Sequence, residues 1–204
     1  MSAETAPVNG PGTVGAVLAG GAGRRIGGDK ATVAVEGRPL IQWVIDAVTP
    51  VTESVALIAK PGTLLPHLDA GVSLWLEPDA GFHPLLGVLH ALRCADGRPV
   101  LVVAGDMPLL TTDVLAHLAQ PSATGSHGRV ANVGDRLQPL CARYEPSALE
   151  ALAEFDREAR ATDTVLAIGV EVVDFDDPLP FFNVNDPSDL LTAGAELKKR
   201  LAAD

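Results

Sequence analysis

Eleven consecutive residues, GGAGRRIGGDK at 20–30, hold five glycines, two arginines and an Asp-Lys pair. Glycine tolerates positive φ and lets backbone N–H groups come close to an anion. Arg24, Arg25 and Lys30 bring positive charge to the same stretch. Arginine can grip two phosphate oxygens at once, and lysine acts as a compact point charge. These residues predict a phosphate-binding loop, although a surface turn with solvated basic residues has the same composition. It is not a Walker loop, because Lys30 is followed by Ala31. Nor does G-x-G-x-x-G fall in the dinucleotide-binding register after the preceding apolar run.

A second candidate is Asp106, in GDMPLL (105–110), directly after the most apolar run in the chain. A carboxylate leaving a central strand suits Mg²⁺, which takes one or two protein carboxylates and completes its shell with waters and substrate phosphates. The competing role is an Asp that caps the turn into the next helix. In NVNDPSDL (183–190), Asn183 and Asn185 each offer a donor and an acceptor. Asp186 ahead of Pro187 is suited to be a helix N-cap. No Ser-His-Asp or Cys-His arrangement is evident.

These residues need elements to hold them. Apolar runs at 14–19, 54–59, 72–76 and 99–104 read as strands, with a shorter candidate at 32–35. Residues 129–133 and 137–144 read as strands joined by a tight turn at Gly134-Asp135, and 170–175 as the last strand. Helical spacing is expected at 39–48, 85–92, 111–119 with a Thr cap, 146–155 and 187–201. Strands alternating with helices predict an α/β fold with a mainly parallel, twisted sheet and helices on both faces. In such sheets ligands bind at the carboxyl ends of strands, where the glycine loop and Asp106 would both emerge.

Composition narrows the function classes. The chain has 204 residues, 26 acidic against 15 basic, and a net charge of −11, which argues against a nucleic-acid binder. Aromatics make up 4%, too few for a base-stacking platform. Two cysteines exclude a disulfide scaffold and read as reduced core thiols. Residues 1–13 lack the basic and apolar regions of a signal peptide and read as a disordered leader. Residues 14–204 are expected to form a single domain. No apolar run is long enough to span a membrane, so the expected compartment is the cytoplasm.

LAGGAGRRIGGDKA (18–31) resembles the signature loop of molybdenum cofactor guanylyltransferases, within the wider nucleotidyltransferase superfamily. HPLLGVLHAL (83–92), VVAGDMPLL (102–110) and NVNDPSDL (183–190) follow in that family's order, and QPLCARY (138–144) resembles its internal strand. The resemblance implies a Rossmann-like three-layer α/β/α fold of the nucleotide-diphospho-sugar transferase type. It also implies transfer of GMP from GTP to the terminal phosphate of molybdenum-molybdopterin, with Mg²⁺ as cofactor and pyrophosphate released.

Matched position by position, Leu18, Ala19 and Gly20, with Gly21 beside them, would contact guanosine. Lys30 would bind phosphate, and Asp106 would hold Mg²⁺ against GTP; Arg25, Lys30 and Asp106 are the implied catalytic set. An acidic nucleotide contact after the third strand falls on Glu77 or Asp79, with Asp79 favoured. Asn183 and Asn185 would line the pterin side. The chain departs from the family at Ile58, where an Asn can stand, and at His83, where a glycine usually opens the GPL triplet. Alternatives are a cytidylyltransferase acting on the same pterin with CTP, and a catalytically silent GTP-binding module that delivers the cofactor. Molybdoenzymes or their chaperones are the implied further partners.

Overall fold

The apolar runs bounded by glycine, proline and polar residues become strands; those at 14–18, 55–59 and 100–104 are buried on both faces and adjoin in the sheet, whereas 72–76 is a half-exposed edge strand. A computed structural model describes residues 12–19, 31–67, 71–78 and 81–202. β1 (Val14–Leu18) and, after the short antiparallel pair β2 (Ala34–Val35) and β3 (Arg38–Pro39), helix α1 (Leu40–Val48) lead to β4 (Ser54–Ala59) and β5 (Val72–Leu76). Helix α2 (Leu85–Cys94) precedes β6 (Val100–Ala104), and α3 (Thr112–Leu118) precedes β7 (Gly128–Val133) and β8 (Arg136–Tyr144). The chain closes through α4 (Ala148–Ala151), α5 (Ala161–Ala167), β9 (Glu171–Phe175) and α6 (Pro187–Leu201).

The sheet has seven strands in the order β5-β4-β1-β6-β8-β7-β9. Only the pairs made by β8 are antiparallel, so the expected mainly parallel sheet holds. β1 and β6 are buried at every position, as strands covered on both faces must be. Alternate residues feed opposite layers. Val17, Leu101 and Val103 join α1 and α3 on one side, while Val14, Ala16, Val100 and Val102 join α2 and α4 on the other. A smaller cluster packs α6 against Val35, Leu40 and Leu109. This is the three-layer α/β/α arrangement.

Several boundaries differ from the sequence expectations. The 32–35 candidate is strand only at Ala34–Val35 and pairs with Arg38–Pro39 outside the main sheet. Its turn places Glu36 at φ 50° and Gly37 at φ 75°, the positive-φ pair of a tight hairpin. The helix expected at 146–155 is cut to Ala148–Ala151. Beyond it the Asp156 carboxylate accepts from Glu158 N at 2.9 Å, a local turn that competes with helix. A further helix, α5, follows at Ala161–Ala167, where no helix was expected.

The β7–β8 pairing carries a large irregularity. Val130 faces Ala142 but the next residue, Ala131, faces Gln138, so Pro139, Leu140 and Cys141 bulge from the β7 side. Proline cannot donate to a ladder, and bulges are where strands tolerate it. The Pro139 carbonyl instead accepts from the Tyr144 hydroxyl at 2.8 Å. The leader expected at 1–13 lies outside the described residues except for its last two positions.

Candidate active site

β1 and β6 are neighbours, and the chain leads from β1 to β4 on one side but from β6 to β7 and β8 on the other, so their connections leave in opposite directions. A crevice opens at the carboxyl ends of such strands. Leu18 stands level with Ile58 of β4 and Ala104 of β6. Past the strands, Ala19 N donates to Ile58 O at 2.8 Å and Gly105 N to Leu18 O at 3.0 Å, carrying the seam one residue further. Leu18 and Ala19 therefore sit where expected, on the same edge as Asp106. Gly20, Gly21, Arg25 and Lys30 lie outside the described residues, as does Asp79.

Two adjoining cavities occupy this edge. One, of about 410 Å³, is lined by Leu18, Ala19, Ile58, Lys60, Glu77 and Phe82 among others. The other, of about 540 Å³, takes Asp106 and Met107 from the β6 exit, Gln138 and Pro139 from the β8 bulge, and Arg160 and Thr162 from the start of α5, together with Asn183. Leu18, His83, Pro84 and Leu140 line both and form the shared wall.

The smaller cavity has an apolar floor and a charged rim. Glu77 follows β5 and is only 7% exposed; its backbone N–H donates to Ala59 O at 2.8 Å. The Lys60 ammonium lies 4.0 Å from Glu77 Oε1, bonds to the Gly81 carbonyl and sits 5.0 Å from the Phe82 ring. Of the two acidic residues open after the third strand, Glu77 is thus a lining residue. Ile58 puts an aliphatic side chain into the same wall.

The larger cavity is tied together by backbone and helix-end contacts. Asp106 O accepts from Val184 N at 2.9 Å, which docks the NVN segment beside the β6 exit. Asn183 reaches the cavity, with its Nδ2 donating to Phe181 O at 3.3 Å. Asn185 is exposed and lines neither cavity; its N–H donates to Asp189 Oδ2 at 2.7 Å. Asp186 caps α6 as expected, accepting from Ser188 N and Asp189 N, and Asp189 completes a capping box. At the other end of α6, Arg200 donates to Leu109 O at 2.8 Å, fixing the segment that follows Asp106.

Gln138, Arg160, Thr162, Lys60 and the tie made by His83 were missed by reasoning from sequence. Pro139 inside an otherwise regular strand was the available signal for Gln138. Among the described residues no three His, Cys, Asp or Glu side chains group to hold a metal, at Asp106 or elsewhere. The Asp106 carboxylate is a hard-oxygen donor, which fits Mg²⁺ of the kind that takes the rest of its shell from phosphates and water.

The MobA-like NTP transferase domain matches residues 15–171. The chain belongs to this family. Among its relatives, the molybdenum cofactor guanylyltransferase of Cereibacter sphaeroides is 36% identical over 193 residues, covering 91% of this chain and 97% of that protein. The enzyme of the same name from Shewanella pealeana is 35% identical, covering 84% and 88%. The crystal structure of molybdopterin-guanine dinucleotide biosynthesis protein A from Archaeoglobus fulgidus superposes with a TM-score of 0.72 at 26% identity, over 91% of this chain and 99% of that one. A 2-C-methyl-D-erythritol 4-phosphate cytidylyltransferase from Thermus thermophilus shares the fold, with a TM-score of 0.65 at 21% identity, over 90% and 98%. As a MobA-like NTP transferase, this protein carries its two cavities on the strand edge where the GDMP and NVN segments meet. No helix among the described residues is long and apolar enough to cross a membrane.

Proposed function

We propose that this protein transfers GMP from GTP to the terminal phosphate of molybdenum-molybdopterin, forming the guanine dinucleotide cofactor. The observation that carries the reading is the pair of adjoining cavities with one shared wall, Asp106 lying in the larger. Two substrates joined through phosphates need two such chambers meeting near a common reaction point. The smaller chamber, with Ala19, Ile58 and Glu77, suits a nucleoside. The larger, with Gln138, Asn183 and Arg160, suits a polar heterocycle bearing a phosphate.

In the transfer, an oxygen of the acceptor phosphate attacks the α-phosphorus of GTP. A new phosphoanhydride bond forms, the α–β bond breaks, and pyrophosphate leaves with the electron pair. A phosphate monoester is already ionised near neutral pH, so no general base is needed. The protein's part is positioning and charge neutralisation. Asp106 would hold Mg²⁺, which when bound lowers the charge on the reacting phosphates. Arg25 and Lys30 would neutralise the triphosphate from the glycine loop, with Gly20 and Gly21 allowing its backbone close approach. Arg160 would meet the acceptor phosphate from across the larger chamber. Asn183 would bond the pterin edge, and Asn185 would support that side from the cap of α6. Molybdoenzymes or their chaperones would take up the product, and the cytoplasm is the compartment this reading expects.

The deciding experiment is competition among GTP, CTP and ATP with Mg²⁺ and the molybdenum-bearing pterin on purified protein. GTP should be the substrate used. A site that hydrogen-bonds one base edge rejects a base without the match by powers of ten, because its own polar groups lose their partners. Use of CTP equal to or better than GTP overturns the guanylyl assignment, and binding of GTP with no transfer overturns the enzyme.

A further inference from the structure

His83 stands on the wall shared by the two chambers, and each of its ring nitrogens meets a different part of the chain. Leu85 N, the first amide of α2, donates to Nδ1 at 3.2 Å. Nδ1 is therefore an acceptor, and the proton of the neutral ring resides on Nε2. That nitrogen is 3.1 Å from the Ala159 carbonyl, to which it donates. The ring also packs on Phe155, with centroids 4.6 Å apart.

Ala159 leads directly into Arg160, Ala161 and Thr162, all of which line the larger chamber. This turn has little burial of its own to fix it. Residues 156–158 and Arg160 are exposed, and within α5 only Val165 is buried. A hydrogen bond from a ring that is itself held at the start of α2 can fix such a turn where burial does not.

We infer that His83 is a positioning residue for the acceptor. In its Nε2–H tautomer it ties the turn bearing Arg160 and Thr162 to the start of α2, and so sets that turn's place in the chamber that Asp106 also lines. The identity of the acceptor rests on the function proposed above; the tie itself does not. The tie to Ala159 acts on the larger chamber, because the turn it holds lines that chamber and not the smaller one.

His83→Phe keeps a ring against Phe155 and removes both hydrogen bonds. His83→Gln keeps one acceptor and one donor on a comparable reach. With His83→Phe the KM for the pterin acceptor should rise about tenfold, the order expected for loss of one hydrogen bond, while the Kd for GTP stays within about twofold. His83→Gln should recover part of that loss. Amides 159–164 should exchange hydrogen faster in His83→Phe than in wild type or His83→Gln, at matched thermal stability. Equal weakening of acceptor and GTP, or unchanged exchange at 159–164, overturns the inference. If wild-type protein transfers no GMP to the pterin, the functional reading fails, and the exchange comparison still decides the tie.

Discussion

Asp106 presents two different groups. Its backbone carbonyl docks Val184, while its side chain lines the larger chamber. Asp106→Asn preserves the first and removes the charge of the second. Mg²⁺-dependent GMP transfer should then fall by about 100-fold or more, whereas metal-free GTP affinity should change by no more than about threefold. Steady-state turnover and calorimetric titration separate the two, and near-normal turnover would remove Asp106 from the reaction. The cysteines are inert by comparison. Burial pushes the Cys141 thiol up to about 12 and raises Cys94 as well, so neither is poised as a thiolate.

At the scale of elements, the seam between β1 and β6 controls how closely the two strand exits approach. A Cβ at Gly105 would lie 2.9 Å from Leu18 O and 3.1 Å from Ile41 Cδ1. Backbone cannot yield as a flexible side chain can, so Gly105→Ala must spread the seam at the chamber wall. It should cost about 1–3 kcal/mol in urea unfolding, as other overpacking changes do, and should weaken GTP binding along with it. Gly71→Ala is the matched control, since a Cβ there meets nothing within 4 Å among the described residues. Its stability should stay within about 0.5 kcal/mol of wild type. If both variants behave alike, close packing at Gly105 is not what shapes the site.

The whole molecule is braced at the end of the sheet opposite the chambers. Arg143, only 3% exposed, donates to Thr13 Oγ1 at 2.8 Å, Ala119 O at 2.9 Å and Glu145 Oε1 at 2.8 Å. It thus joins β8 to the start of β1 and the end of α3. Burial alone would raise the Glu145 carboxyl, but hydrogen bonds from Arg143 and Ser122 together with the Arg143 charge outweigh it and hold the group below its usual value of 4.5. A depressed carboxyl contributes stability above its unfolded pKa and loses it as pH falls through the folded one. Glu145→Gln should therefore melt below wild type at neutral pH, with the gap closing as acid protonates Glu145. Melting curves from about pH 7 to about pH 3 test this, and a gap independent of pH would show that the charge is not what matters.

How much of this was legible before folding varies with the range of the interaction. Val14–Leu18, Ser54–Ala59 and Val100–Ala104 read as strands because a strand buried on both faces must be an unbroken apolar run. The caps at Thr111 and Asp186 were legible because each bonds amides two or three residues away. Asp106 and Leu18 could be placed on one edge because chain direction in a parallel sheet puts every strand exit on the same side. The helix expected at 146–155 forms only at Ala148–Ala151, and the seven-residue helix at Ala161–Ala167 escaped, being too brief for helical periodicity to register. The sequence by itself thus determined the sheet, its capped helices and the edge where phosphate chemistry would sit. Only the tertiary structure brought Gln138, Ala159–Thr162 and His83 to the chamber that Asp106 also lines. Their meeting depends on a bulge opposite β7 and on a hydrogen bond spanning 76 residues, and contacts between distant segments leave no periodicity or local spacing in the chain that makes them.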